Sequence, residues 1–139
     1  MNIAIIGTGN VGGALATQWS KAGHSIYLGV RDVHDFKGKE LLDNTYTSVH
    51  PIAEAIAAAE VILVASPPQF AESQASIFGN LKGKVLIDAT NAVRTKPENY
   101  PTAFHAFSAL TEAKVVKCFN STGFENMQNP SYGEQQLDM

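Results

Sequence analysis

The residues of this chain that could do chemistry are mostly glycines, and what they could do is hold a phosphate. Gly7-Thr8-Gly9-Asn10-Val11-Gly12 matches G-x-G-x-x-G and follows the apolar run Asn2-Ile3-Ala4-Ile5-Ile6 with no spacer. In that pattern the first glycine makes a tight turn, the second lets the backbone approach a pyrophosphate, and the third lets the next helix pack on the strand. The helix opening there aims free N–H groups and the positive end of its dipole at the anion. The bland alternative is a structural glycine turn with no ligand. Context counts against it: an apolar strand precedes the loop, and Val11, Leu15, Gln18, Trp19 and Ala22 follow it at helical spacing. Gly23 stands where a helix stops, and Ser25–Val30 reads as a second strand. That is one βαβ unit.

The end of the second strand should choose between two dinucleotides. Sites for NAD place an acid about twenty residues after the glycines, to accept from the ribose hydroxyls. Val30 lies in that position and Arg31 follows it. A carboxylate would repel a 2′-phosphate, whereas a guanidinium can bond one, so the sequence predicts NADP(H). Lys37 and Lys39 would add charge if the loop folds back. The alternative is that Arg31 is a solvated surface group and Asp32 takes the acid's role.

Three further segments sit at predicted strand ends, where ligands bind in open parallel sheets. They are Ser66-Pro67-Pro68, Ala89-Thr90-Asn91 and Phe119-Asn120-Ser121-Thr122-Gly123. Small and amide side chains suit a nicotinamide ring, which needs close approach and a partner for its carboxamide. Each could be an ordinary turn; three at one edge, opposite a glycine fingerprint, are stronger together. The other chemistries are missing. His24, His34, His50 and His105 are scattered, no Cys/His or Ser/His/Asp set is placed together, and no metal spacing occurs. Cys118 is expected as a small core residue, the acids on surface faces, and Phe70, Phe78, Phe104 and Phe107 in the core.

The elements that must position these groups alternate. After Arg31–Asn44, polar with a short helix near Lys39–Asp43, Thr45–Val49 reads as an edge strand and Pro51 as the first turn of a helix carrying Ile52, Ala55, Ile56 and Ala59. Val61–Ala65 is a central strand. A helix with Phe70, Gln74, Ile77, Phe78 and Leu81 follows, then a strand over Val85–Ala89. Next come a helix with Phe104, Phe107 and Leu110, and a strand over Lys114–Phe119. The tail from Asn120 opens with a helical turn and becomes polar. The prediction is an α/β fold, a Rossmann-type doubly wound parallel sheet of six strands in order 3-2-1-4-5-6, in a single domain over 1–139.

Composition agrees. With 45% hydrophobic and 17% charged residues the chain is globular, and a net charge of −3 disfavours a nucleic-acid partner. One cysteine suits a reducing compartment, and no apolar run reaches the ~18 residues of a membrane span. A cytoplasmic protein is expected.

The same residues carry a family resemblance. Ile5-Ile6-Gly7-Thr8-Gly9-Asn10-Val11-Gly12, and Gly23-His24 before a strand ending in Arg31, resemble the NADP-binding domain of deazaflavin-dependent NADP reductases. Val115-Val116-Lys117-Cys118-Phe119-Asn120-Ser121, with Glu125-Asn126-Met127 and Asn129-Pro130, is similar to a segment shared with their bacterial relatives, described as dinucleotide-binding enzymes. The cytosolic domain of membrane ferric reductases is a more distant relative. The resemblance implies a hydride passed between NADPH and a flavin-like acceptor. It implies that Gly7, Thr8, Gly9, Asn10, Val11 and Gly12 hold the pyrophosphate and Arg31 the 2′-phosphate. Ser66, Pro67 and Asn91 would border the nicotinamide, with Asn120 and Ser121 toward the substrate. Two departures stand out: Val30 and Asp32 flank Arg31 where relatives carry more basic residues, and relatives continue past the Asn-Pro segment, so a fragment or minimal form is expected.

Two functions follow from the sequence. One is an NADP(H)-dependent oxidoreductase, or its cofactor domain, acting on a small redox acceptor such as a flavin or deazaflavin; hydride transfer needs position more than an acid or base. The other is a non-catalytic NADP(H)-binding module that senses redox state or assembles with a partner. A homodimer built through the last strand and the Ser121–Met139 tail is expected to cover the nicotinamide.

Overall fold

A computed structural model of the 139-residue chain describes residues 1–136. Six parallel strands form one sheet in the order β3-β2-β1-β4-β5-β6, as the alternation predicts. They are β1 (Asn2–Ile6), β2 (Ser25–Val30), β3 (Thr47–Pro51), β4 (Val61–Val64), β5 (Val85–Asp88) and β6 (Lys114–Lys117). β1 lies at the reversal of strand order, between β2 and β4. The helices are α1 (Asn10–Lys21), α2 (Ile52–Ala58), α3 (Ala71–Ile77), α4 (Ala103–Leu110) and α5 (Phe124–Gln128). A two-stranded antiparallel hairpin of β7 (Ser131–Tyr132) and β8 (Gln135–Gln136), unforeseen in the polar tail, follows α5.

Alternation along the strands divides the core in two. Ala4, Ile6, Ile62, Val64 and Leu86 face α2, α3 and α4, where Phe78 and Phe107 stack with ring centroids 5.8 Å apart. Ile3, Ile5, Ile26, Leu28 and Leu63 face α1 and α5, with Leu15, Ala16 and Met127. Strands buried on both faces are what continuous Ile/Val/Leu runs specify. Met127 brings α5 against α1, so the tail helix belongs to the core on that side.

Several boundaries and faces differ from the sequence reading, each for a local reason. β3 runs two residues later than expected, and Pro51 ends that edge strand and caps α2 instead of lying in the helix. Pro67 and Pro68 lead into a 3₁₀ turn over Pro68–Phe70, so α3 starts at Ala71 and turns Ala71, Ala75 and Phe78 inward. Phe70, expected in the core, is therefore exposed, as are Ile77 of the same helical stripe and Leu110 at the end of α4; Phe104, also expected in the core, is half-buried. β6 stops at Lys117 and is an edge strand, which leaves Cys118 exposed and not in the core. Among the described residues no helix is long and apolar enough to cross a membrane.

Candidate functional site

The parallel sheet brings the C-terminal ends of β1, β4, β5 and β6 to one edge, with the glycine loop leaving β1 at its centre. The three fingerprint glycines do different work. Gly7 has φ +102°, and a Cβ there would lie 2.7 Å from the main chain of Ala65 and Ser66, so the loop presses on the end of β4. A Cβ on Gly12 would lie 1.9 Å from the Gly7 carbonyl oxygen, so α1 packs directly on the turn. Gly9 needs neither freedom: its φ of −79° and ψ of −158° are open to any residue, and a Cβ there would meet nothing within 4 Å. It fronts empty space at the start of α1.

That space fits a pyrophosphate. Gly9 caps α1 without a side-chain hydrogen bond, and no acid stands in the first turn. The leading N–H groups of a helix have no partner within it, and they carry the positive end of the dipole. Asn10 is exposed beside them and Val11 is half-buried. Thr8 lines the same cavity as Gly9 and Asn10, and its hydroxyl donates to the Lys37 carbonyl and ties the loop after β2 to the glycine turn.

That tie decides where the positive charge lies. Arg31 is the first exposed residue beyond β2, and among the described residues it makes no ion pair. Asp32, the alternative ribose partner, is committed locally: its Oδ1 accepts from the His34 N–H at 2.8 Å. Lys37 lines a cavity of about 250 Å³ with Thr8, Gly9, Asn10, Glu40 and Gln128. Lys39 is spent within its own loop, donating to the His34 carbonyl at 2.7 Å and standing 4.0 Å from Asp35. So the fold-back expected of the two lysines holds for Lys37 alone.

The other side of the edge is built from polar side chains. The Ser66 hydroxyl and the Gln74 amide bond at 2.8 Å, fixing the end of β4 on α3, with Pro67 exposed next to it. Asn91 and Ser121 are exposed at the ends of β5 and β6. Asn120 is exposed as well, but its Nδ2 donates to the Thr90 carbonyl at 2.7 Å. The loop after β5 is pinned by Thr95 on Gln69, in the 3₁₀ turn before α3, at 2.7 Å and by Asn99 on Glu72 of α3. The side chain and backbone N–H of Asn99 hold the Glu72 carboxyl below the usual carboxylate range.

One group was missed. The acids were expected on surface faces, yet Asp88 ends β5 wholly buried, 3.0 Å from the Lys117 ammonium on β6. An acid closing a run expected to be buried on both faces was the available signal. Strand register supplies the rest, since Asp88 and Lys117 are neighbours across β5 and β6. Among the described residues no group of three or more His, Cys, Asp or Glu is placed to hold a metal.

Comparison with known proteins agrees with this geometry. The model of a family described as coenzyme F420-dependent NADP oxidoreductase matches residues 2–92. Over 138 residues the chain is 28% identical to metalloreductase STEAP3 of Rattus norvegicus, covering 97% of this chain and 28% of that protein. The chain thus spans little more than a quarter of that relative's length. A solved structure from Arthrobacter sp. FB24, provisionally assigned as an F420-dependent NADP reductase, superposes with a TM-score of 0.77 at 26% identity, over 94% of this chain and 67% of that one. A reductive aminase of Aspergillus terreus in complex with NADPH and ethyl levulinate gives a TM-score of 0.56 at 28% identity, over 66% and 32% of the two chains.

Proposed function

The chain belongs to the family of coenzyme F420-dependent NADP oxidoreductases, and from that premise we propose that it binds NADP(H) and passes a hydride between it and a flavin- or deazaflavin-like acceptor. The observation that carries the reading is Gly9. Neither backbone strain nor packing asks for glycine there, and a side chain would project into the space over an uncapped helix N-terminus. A ligand that needs the backbone bare explains the residue.

The chain's own groups divide the task. The first-turn N–H groups of α1 and the main chain of Gly7–Gly12 take the pyrophosphate, and Arg31 takes the 2′-phosphate in a charge-assisted contact. Lys37 adds a second cation beside the glycine loop. Ser66, Pro67 and Asn91 border the nicotinamide, which when bound supplies the hydride, and Ser121 faces the acceptor. The NADPH held by the reductive aminase and the reductase assignment of the Arthrobacter structure support the cofactor. Transfer between two rings depends on their approach and alignment, so these residues act by orienting the reactants.

The experiment is titration of NADPH and NADH by calorimetry, followed by loss of the near-ultraviolet absorbance of NADPH with flavin, deazaflavin and ferric acceptors. Binding of NADPH in preference to NADH with turnover of one acceptor is the expected result; no NADPH binding overturns it. The exposure of Asn91, Asn120 and Ser121 favours a second reading, an NADP(H)-binding module without its own acceptor site. NADPH binding with no turnover of any acceptor would support that. A homodimer that covers this open edge is part of the proposal; Met139, at the limit of the tail assigned to it, lies outside the described residues.

A further inference from the structure

We propose that Asp88, Lys117 and Asn120 are positioning residues that clamp the backbone of Thr90, and through it the start of the loop at Asn91, as the wall on which the nicotinamide end of the cofactor is laid. The inference rests on the cofactor reading above and assigns work to the half of the site that the fingerprint does not reach.

The clamp closes on one residue from both sides. The Thr90 N–H donates to Asp88 Oδ1 at 2.9 Å. The Thr90 carbonyl accepts from the Lys117 ammonium and from Asn120 Nδ2, the latter at 2.7 Å. Lys117 also bonds Asp88 Oδ2 at 3.0 Å, so the three side chains and one backbone residue form a single network. Both backbone polar groups of Thr90 are thereby fixed just beyond β5, one residue before the exposed Asn91.

Stability alone does not account for this arrangement. Asp88 is 0% exposed, and desolvating a carboxylate costs as much as its ion pair returns, so packed apolar residues at both positions would hold the strands together as well. A polar cluster holds something apolar packing does not, a defined peptide orientation. The chain also accepts strain to bring Asn120 into place. Phe119 has φ +65°, a left-handed conformation unfavourable for a bulky residue, and such outliers persist where the surroundings enforce them. Its ring is held edge-on by Trp19 of α1, with centroids 6.0 Å apart. The main chain turns there and sends Asn120 back to Thr90. The result is a continuous linkage from α1, whose N-terminus receives the pyrophosphate, through Trp19, Phe119 and Asn120 to the wall at Thr90. It sets the distance between the two ends of the dinucleotide.

The test separates the two ends of the ligand. Adenosine 2′,5′-bisphosphate has the adenine and the 2′-phosphate but no nicotinamide. Wild-type chain and two variants, Asn120→Ala and the double substitution Asp88→Asn with Lys117→Met, are titrated by calorimetry with that fragment and with NADPH. Emission of the bound dihydronicotinamide is read in parallel. The expected result is that the fragment binds all three alike, while the advantage of NADPH over the fragment shrinks by about tenfold in both variants and the emission moves toward that of free NADPH. An unchanged advantage, or equal loss of both ligands, overturns the inference. If the double variant does not fold, Asn120→Ala decides, because its side chain is removed from the surface and not from the core. Failure of the wild type to bind either ligand marks a different fault, in the cofactor reading itself, and takes the inference with it.

Discussion

The two halves of the site edge are held by different means. Around β1 and β2 the backbone does the work: Gly7 turns, Gly12 lets α1 approach, Gly9 leaves space, and a single cation stands at the end of β2. Around β5 and β6 side chains do it, through Asp88, Lys117 and Asn120 on the backbone of one residue, Thr90. A phosphate is bound by main-chain N–H groups and a dipole, which any sequence can supply once glycine permits the geometry. A flat uncharged ring offers little to a dipole and is placed by a wall, whose position must be set by longer-range contacts. On the reading proposed above, the backbone half recognises charge and the side-chain half sets distance.

The sharpest break of that comparison lies within the glycines. Gly7→Ala and Gly12→Ala drive a Cβ to 2.7 Å and 1.9 Å from main-chain atoms, and each should destabilise the fold by at least about 3 kcal/mol. Gly9→Val should leave the melting temperature nearly unchanged and abolish NADPH binding. Thermal unfolding and calorimetry on the three variants check this, and a folded Gly9→Val that keeps its NADPH affinity would remove the cofactor assignment.

On the side-chain half, Lys117→Ala leaves the buried Asp88 carboxylate without its partner. Breaking a buried pair from one side costs about 3–5 kcal/mol, and the Lys117 side chain, 34% exposed, brings this toward the lower figure. Adding Asp88→Asn should recover much of the loss. Urea unfolding of the single and double variants measures it, and equal stability of the two would mean the pair is not electrostatically coupled.

Arg31 tests the charge half without touching the fold. Its guanidinium is exposed, and if it holds the 2′-phosphate, truncation removes contacts worth roughly 1.5–3 kcal/mol together. Arg31→Ala should weaken NADPH by about ten- to a hundredfold and leave NADH unchanged, since each 1.4 kcal/mol is about tenfold. Added salt should weaken NADPH binding more in the wild type than in the variant. Equal losses for both cofactors would assign Arg31 to the fold and not to selection.

The same contrast explains what could be read in advance. The alternation of strands and helices, the α1 pattern and the fingerprint are local properties of sequence, and the alternation with the fingerprint points to the strand order. The Asp88–Lys117 pair depends on how β5 and β6 register, and the bond from Asn120 to Thr90 on a left-handed Phe119; neither is marked in its own neighbourhood. Cys118 was misplaced for the same reason, because nothing within Val115–Phe119 says that the strand stops at Lys117 on an open edge. Phe70 and Ile77 were misplaced by a shift of one residue, set by the turn at Pro68.

The smallest effect expected lies in the loop that carries Asn91. Asn99 donates to Glu72 through its amide and its backbone N–H, at 2.8 and 2.9 Å, and holds the carboxyl below the usual range. A carboxylate whose pKa is lowered on folding stabilises the folded state above its unfolded value, ~4.3 for glutamate, and loses that contribution as pH falls through the lower folded value. The loop over 91–102 should therefore loosen only in acid, below about pH 4, and the rest of the molecule should not follow it. Glu72→Gln keeps one acceptor oxygen without the charge, so it should show a looser loop at neutral pH and no further loosening in acid. Backbone hydrogen exchange of Asn99 in the two proteins, compared across that range, reads the difference directly. If both proteins lose protection in parallel as pH falls, the titrating group lies elsewhere and the loop is held by Thr95 and its packing alone. If the wild type alone does, the wall on the side-chain half has a second anchor at α3, weaker than the clamp on Thr90 and independent of it.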